Sequence, residues 1–162
     1  MKHNKEGTVD RLWLLPDPRN EYAIRIVSPI TQKARDEDRS HVVLVVEDEI
    51  LVRSVVAEFL RDAGYTVIEA SNAAEAVAIF GAGRTIDLVF SDIEMPGPNP
   101  MDGVGLALWI SQHRPGIDVV LTSGSPHDAQ AVGAKVFLPK PYRLPEVVFR
   151  IRALLDDWQR AE

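Results

Sequence analysis

Residues 41–162 are assigned to the α/β class, as a parallel sheet covered by helices on both faces, by three features of the sequence. Short apolar runs alternate with segments whose apolar residues recur at helical spacing, which is the pattern of strand–helix–strand units. The strand-like runs, VVLVV (42–46) above all, are continuously apolar instead of alternating, as expected of strands buried on both faces. The residues unlike the core gather just after these runs, where a parallel sheet with right-handed crossovers places its site.

The elements follow in order. VVLVV leads into Val52, Val55, Val56, Phe59 and Leu60, whose i, i+3, i+4, i+7, i+8 spacing predicts a helix that Gly64 terminates. YTVIEA (65–70) is the second strand, and Ala73, Ala76, Val77 and Phe80 mark a second helix closed by GAG (81–83). IDLVFSD (86–92) is a third strand ending in an acid, followed by the proline-rich loop EMPGPNPMDG and a helix from 104 to 113 that Pro115 closes. IDVVLTSG (117–124) is the fourth strand, and a short helix is expected over 127–132. KVFLPKP is the fifth strand. The last helix begins near Pro145, a good first-turn residue, and carries Val147, Ile151, Leu154, Leu155 and Trp158 on one stripe.

Residues 1–40 stand apart. Pro16, Pro18 and Pro29 interrupt any long element, EYAIRIV alternates well enough for one short strand, and DEDRS (36–40) is a polar junction. This piece is read as an extension, a misassigned start or a docking segment.

Composition narrows the function. The chain has no cysteine, which removes disulfides, iron–sulfur clusters and thiolate zinc sites. Its four histidines lack the paired spacing of a metal motif. Residues 1–40 hold eight Lys/Arg against seven Asp/Glu, and 41–162 hold ten against seventeen, so the core carries −7 of the net −6. A core of that sign has no electrostatic footprint for nucleic acid. No apolar stretch reaches the length of a membrane span, and RLWLLP is too short for a signal-peptide core, so no membrane partner is expected and the cytoplasm is the expected location.

The chemistry lies at the strand ends: Glu47 and Asp48 after the first strand, Asp92 after the third, Thr122 and Ser123 after the fourth, Lys140 after the fifth. Alone, each has an ordinary reading as helix cap, turn residue or solvated lysine. Together, three carboxylates without thiol or imidazole make a hard oxygen site suited to Mg²⁺. A carboxylate nucleophile, a hydroxyl donor and a fixed ammonium are also the parts that phosphoryl transfer needs.

VVEDE, SDIEMPG, LTSG and FLPKPY, in this order and spacing, resemble the receiver domain of two-component response regulators, over about 120 residues from His41 onward. The resemblance implies a flavodoxin-like sheet in order 2-1-3-4-5 and an extension (1–40) followed by a receiver domain (41–162). It implies that Asp92 is phosphorylated by a histidine kinase or a histidine phosphotransfer protein. Mg²⁺ would be bound by Asp48, Asp92 and the backbone carbonyl of Glu94, with Glu47 acting through water. Thr122 and Lys140 would bind the phosphoryl group, Thr122 and Phe137 would switch, and the Lys140–Pro141 bond would be cis. Phe137 is equally accounted for by core packing. The implied output is a changed contact with a downstream protein from a stand-alone regulator that is not an enzyme, with a weak homodimer as the implied assembly.

Three departures from the family pattern stand out. PNP (98–100) extends the loop after Asp92, and the short interval from Thr122 to Lys140 truncates the fourth helix and the usual dimer surface. Gly124 and Glu94 occupy the positions two beyond Thr122 and Asp92. Two rival classes share parts of the constellation: a phosphatase of the haloacid dehalogenase type, which places its nucleophile after the first strand, and a receiver-shaped binding module that is never phosphorylated.

Overall fold

The computed structural model describes residues 13–17, 20–27, 40–96, 101–125 and 136–160. The chain divides into two units, 1–39 and 40–162. In the first, β1 (Trp13–Asp17) pairs antiparallel with β2 (Asn20–Val27), in a register that shifts between Pro16 and Asp17. Only one strand is expected there from the sequence. Pro16 lies inside β1, opposite Ile24, and a proline is tolerated in a strand only at an edge or a bulge, so it hides the strand from a pattern reading.

The second unit is built from β3 (Val42–Val46), α1 (Ile50–Asp62), β4 (Thr66–Ala70), α2 (Ala73–Gly81), β5 (Leu88–Asp92), α3 (Gly103–His113), β6 (Asp118–Ser123), β7 (Val136–Pro139) and α4 (Leu144–Arg160). The five strands form one sheet in the order β4-β3-β5-β6-β7, every pair parallel. Counted within this unit, that is the order 2-1-3-4-5. The short helix expected over 127–132 and the loop residues 98–100 lie outside the described residues.

The period-two alternation of strand side chains divides the core into two layers. Val43 and Val45 of β3, with Leu88 and Phe90 of β5, pack against Val56 and Leu60 of α1 and Val147, Ile151 and Leu155 of α4. Leu44, Val46 and Val89 face the other way, onto Ala73, Ala76 and Phe80 of α2 and Leu106 and Ile110 of α3. Burying a side chain such as Ile151 completely contributes about 1.5–3 kcal/mol, so the two layers carry most of the stabilisation. Val55, read from the sequence as an inward residue of α1, is instead 52% exposed with Ile50 and Leu51. The buried stripe runs 56, 57 and 60, because the helix meets the sheet one residue further round than the apolar pattern suggests.

Parallel pairing then brings all five carboxyl ends to one rim. Asp92 and Thr122 are register partners, Ile93 donates its N–H to the Thr122 carbonyl at 2.9 Å, and the Lys140 N–H is held by the Ser123 carbonyl at 2.8 Å. The start of α3 locks the end of β5: Gly103 donates to the Ile93 carbonyl, and Asp102 caps the helix by accepting from Gly105 at 2.7 Å. A Cβ on Gly103 would lie 2.0 Å from the Asp92 carbonyl oxygen and 2.8 Å from Ile93 Cα. Only glycine fits.

Gly103→Ala is therefore expected to cost about 3 kcal/mol, at the upper end of overpacking effects, because the obstacle is backbone. Chemical denaturation of wild type and variant measures it. A loss below about 0.5 kcal/mol, the range of unremarkable surface changes, would mean that α3 does not pack this closely on Asp92.

Candidate functional site

The rim holds a cluster of ionisable groups that water reaches unevenly. Glu47 and Asp92 are buried, with side chains 4% and 6% exposed, while Asp48 beside them is exposed. One carboxylate oxygen from each of Glu47, Asp48 and Asp92 can be chosen so that all three lie within 4.8 Å of one another. Lys140 Nζ donates to Asp92 Oδ2 at 2.8 Å and to Glu47 Oε2 at 3.1 Å. One ammonium thus faces three acids.

Burial and pairing pull against each other here. Burial pushes the Glu47 carboxyl up, the Asp92 charge adds to it, and the Lys140 hydrogen bond only partly reverses the rise. Burial alone would lower Lys140, but its bonds to Asp92 and Glu47 outweigh that and hold the ammonium above the ordinary lysine range. Desolvation prevails for Glu47 and not for Lys140 because the lysine end stays 28% exposed. Water screens that end of the pair.

Two oxygens are left over. Asp92 Oδ1 and Thr122 Oγ1 are buried and meet no hydrogen-bond partner among the described residues. An unsatisfied buried oxygen costs about 1–3 kcal/mol. Two of them, side by side at the ends of paired strands, mark a place prepared for a further group. The donor set is carboxylate oxygen around an open cleft of about 780 Å³ whose lining includes Glu47, Asp48, Glu49, Asp92, Glu94, Asp102 and Lys140. That chemistry and the free Asp92 oxygen fit a hard divalent cation.

Of the residues singled out in the sequence, Glu47, Asp48, Asp92, Glu94 and Lys140 line this one cleft, and Thr122 sits behind it as the strand neighbour of Asp92. Phe137 is half-buried on β7, opposite Leu121, and does not line the cleft. The Lys140–Pro141 bond is cis. Several residues escape sequence reasoning. Asp102 adds charge to the cleft wall, and Tyr142 places a hydroxyl with no partner among the described residues in a core where its ring meets Phe90 edge-on at 5.8 Å. Arg53 donates to the Glu47 carbonyl. Its place on the first turn of α1, six residues after Glu47, was the available signal.

The family model described as "Response regulator receiver domain" matches residues 43–152. Among curated proteins, the chain is 37% identical over 131 residues to the sensor kinase CckA of Brucella abortus, a match covering 77% of this chain and 14% of the kinase. It is 37% identical over 111 residues to the transcriptional regulatory protein PdtaR of Mycobacterium tuberculosis, covering 65% of this chain and 52% of that protein. The chain therefore spans about half or less of the length of these relatives. Among solved structures, the response regulator protein TrrA of Thermotoga maritima in complex with Mg(2+)-BeF is 29% identical with a TM-score of 0.63, covering 70% of this chain and 98% of that one. No helix among the described residues is long and apolar enough to cross a membrane.

Burial pushes the Tyr142 phenol from 10.0 up to about 12. The folded protein keeps a proton that the unfolded chain releases, so this stabilisation is complete below pH 10 and lost as the pH rises through 12. Tyr142→Phe removes both the orphaned hydroxyl and this titration. Near neutral pH the variant should lie within about 1 kcal/mol of wild type, and it should gain on wild type steadily between pH 10 and 12. Urea unfolding across that range decides it, and parallel curves would place the phenol in water.

Proposed function

The chain belongs to the response regulator receiver domain family, and from that premise we propose that it accepts a phosphoryl group on Asp92 from a histidine kinase or a histidine phosphotransfer protein and signals by protein contact. The observation that carries the reading is the double contact of Lys140 with Asp92 and Glu47, beside a Thr122 hydroxyl that no group among the described residues satisfies.

In the transfer, the N–P bond of a phosphohistidine breaks as an O–P bond forms on Asp92, and the ring leaves as neutral imidazole. Asp48, Asp92 and the backbone carbonyl of Glu94 would hold Mg²⁺, with Glu47 acting through water. A bound Mg²⁺ supplies positive charge for the phosphoryl oxygens, which matters because transfer is mostly positioning and electrostatics. Lys140 supplies the second cation, a compact charge already aimed at Asp92. Its rise above the ordinary lysine range keeps it charged at any physiological pH. Glu47 is the reservoir for this arrangement: it shares Lys140 with Asp92 and can retain that contact when Asp92 is modified.

The phosphoryl group adds nearly two negative charges to a buried position. The protein responds only as far as its active arrangement binds that group better than the resting one does. Thr122 Oγ1 and Lys140 Nζ provide this preference, and Phe137, three residues before the lysine, is the candidate reporter of the change toward the surface of β7 and α4. The deficit of basic residues in 41–162 supports a protein rather than a nucleic acid as the receiver of the signal.

Acetyl phosphate with Mg²⁺ should add a single phosphoryl group to the wild type, seen by intact mass, and none to Asp92→Ala. Labelling of Asp92→Ala to the same extent would move the acceptor elsewhere. Steady turnover of a small phosphomonoester would instead favour a phosphatase. Beryllofluoride with Mg²⁺ should shift the amide signals of Thr122 and Phe137, and unmoved signals would leave only a binding module.

A further inference from the structure

The loop that carries Glu47 and Asp48 must hold two acids against their mutual repulsion and at the entrance of a helix. Helix α1 does not hold it in the usual way: its N-cap, Glu49, makes no side-chain capping bond, and no acid stands in its first turn. The loop is held from the side instead. Arg53 Nη1 donates to the Glu47 carbonyl at 2.6 Å and makes a weaker 3.5 Å contact with the Asp48 carbonyl. Its Nε lies 3.5 Å from Glu69 Oε2, and Glu69 is pinned in turn by Arg61 Nη2 at 2.8 Å. The Arg53 side chain is only 14% exposed, while Glu69 and Arg61 reach solvent at 31% and 45%. β4 thereby braces the acid loop through one guanidinium.

We infer that Arg53 is a positioning residue for divalent-cation binding: anchored by Glu69, it fixes the backbone of Glu47 and Asp48 so that the carboxylates face the cleft. The inference rests on the reading that Asp48 and Asp92 hold Mg²⁺. It concerns a group that touches neither the cation nor the phosphoryl oxygens. The planar fork of arginine reaches a carbonyl on one side and a carboxylate on the other, which the point charge of lysine does not do from one place.

The charge of Arg53 makes the inference testable by sign. If Arg53 acted only through space, its positive charge would repel Mg²⁺, so Arg53→Met would bind Mg²⁺ more tightly and Arg53→Lys would match wild type. As a positioning residue, Arg53→Met should bind Mg²⁺ about tenfold more weakly, the lower end of effects from residues that orient metal ligands, and Arg53→Lys should recover only part of the loss. The measurement is a Mg²⁺ titration of wild type and both variants followed by the amide signals of Glu47, Asp48 and Asp92. Thermal melts of the cation-free proteins confirm that each variant is folded, and Arg53→Lys keeps the test decisive if Arg53→Met is not. Weaker binding in the folded variants supports the inference. Unchanged or tighter binding overturns it while leaving the phosphoreceiver reading intact. Absence of any Mg²⁺ response in wild type overturns both.

Discussion

One ammonium shared between two buried carboxylates is the constraint on which the rest of this domain turns. Glu47 and Asp92 follow different strands, 45 residues apart, and both are hydrogen-bonded by Lys140 at the end of a third strand. Lys140 cannot reach both unless β3 lies beside β5 and β7 ends level with them, so the sheet order and the site geometry are one requirement. The two partners shift in the same direction for opposite reasons. Glu47 is raised because burial outweighs its half share of a lysine, and Lys140 is raised because it collects two acids.

That convergence was legible in the sequence because parallel strands leave no choice about where their carboxyl ends go. Once VVLVV, LVFSD and DVVLTS are read as strands buried on both faces, Glu47, Asp92 and Thr122 must share a rim. Register could not be read in advance, yet it is what makes Asp92 and Thr122 direct neighbours. What stayed hidden depends on approach distance and helix rotation, which periodicity does not encode. Val55 fits an apolar stripe and faces water, because α1 is turned by about a residue on the sheet. Gly103 reads as an ordinary loop glycine until the Asp92 backbone is found against it. In the first unit, β1 was masked by Pro16, a residue that breaks the pattern without breaking the strand.

Packing and chemistry are coupled at the end of β5. Phe90 and Leu88 are fixed in one core layer and Val89 in the other, so Asp92 cannot slide along the strand without exposing both faces. Gly103 closes the remaining direction, since the first residue of α3 lies directly on the Asp92 carbonyl. Asp92 is thereby held by both core layers and by the first residue of α3.

The two unsatisfied oxygens give this rigidity its purpose. A carboxylate oxygen of Asp92 and the Thr122 hydroxyl, each buried without a partner among the described residues, leave the fold less stable by about 1–3 kcal/mol apiece. A fold selected for stability alone would have satisfied or removed them, as happens with most buried polar groups. Any group that satisfies them recovers that free energy only in the arrangement where both oxygens face it.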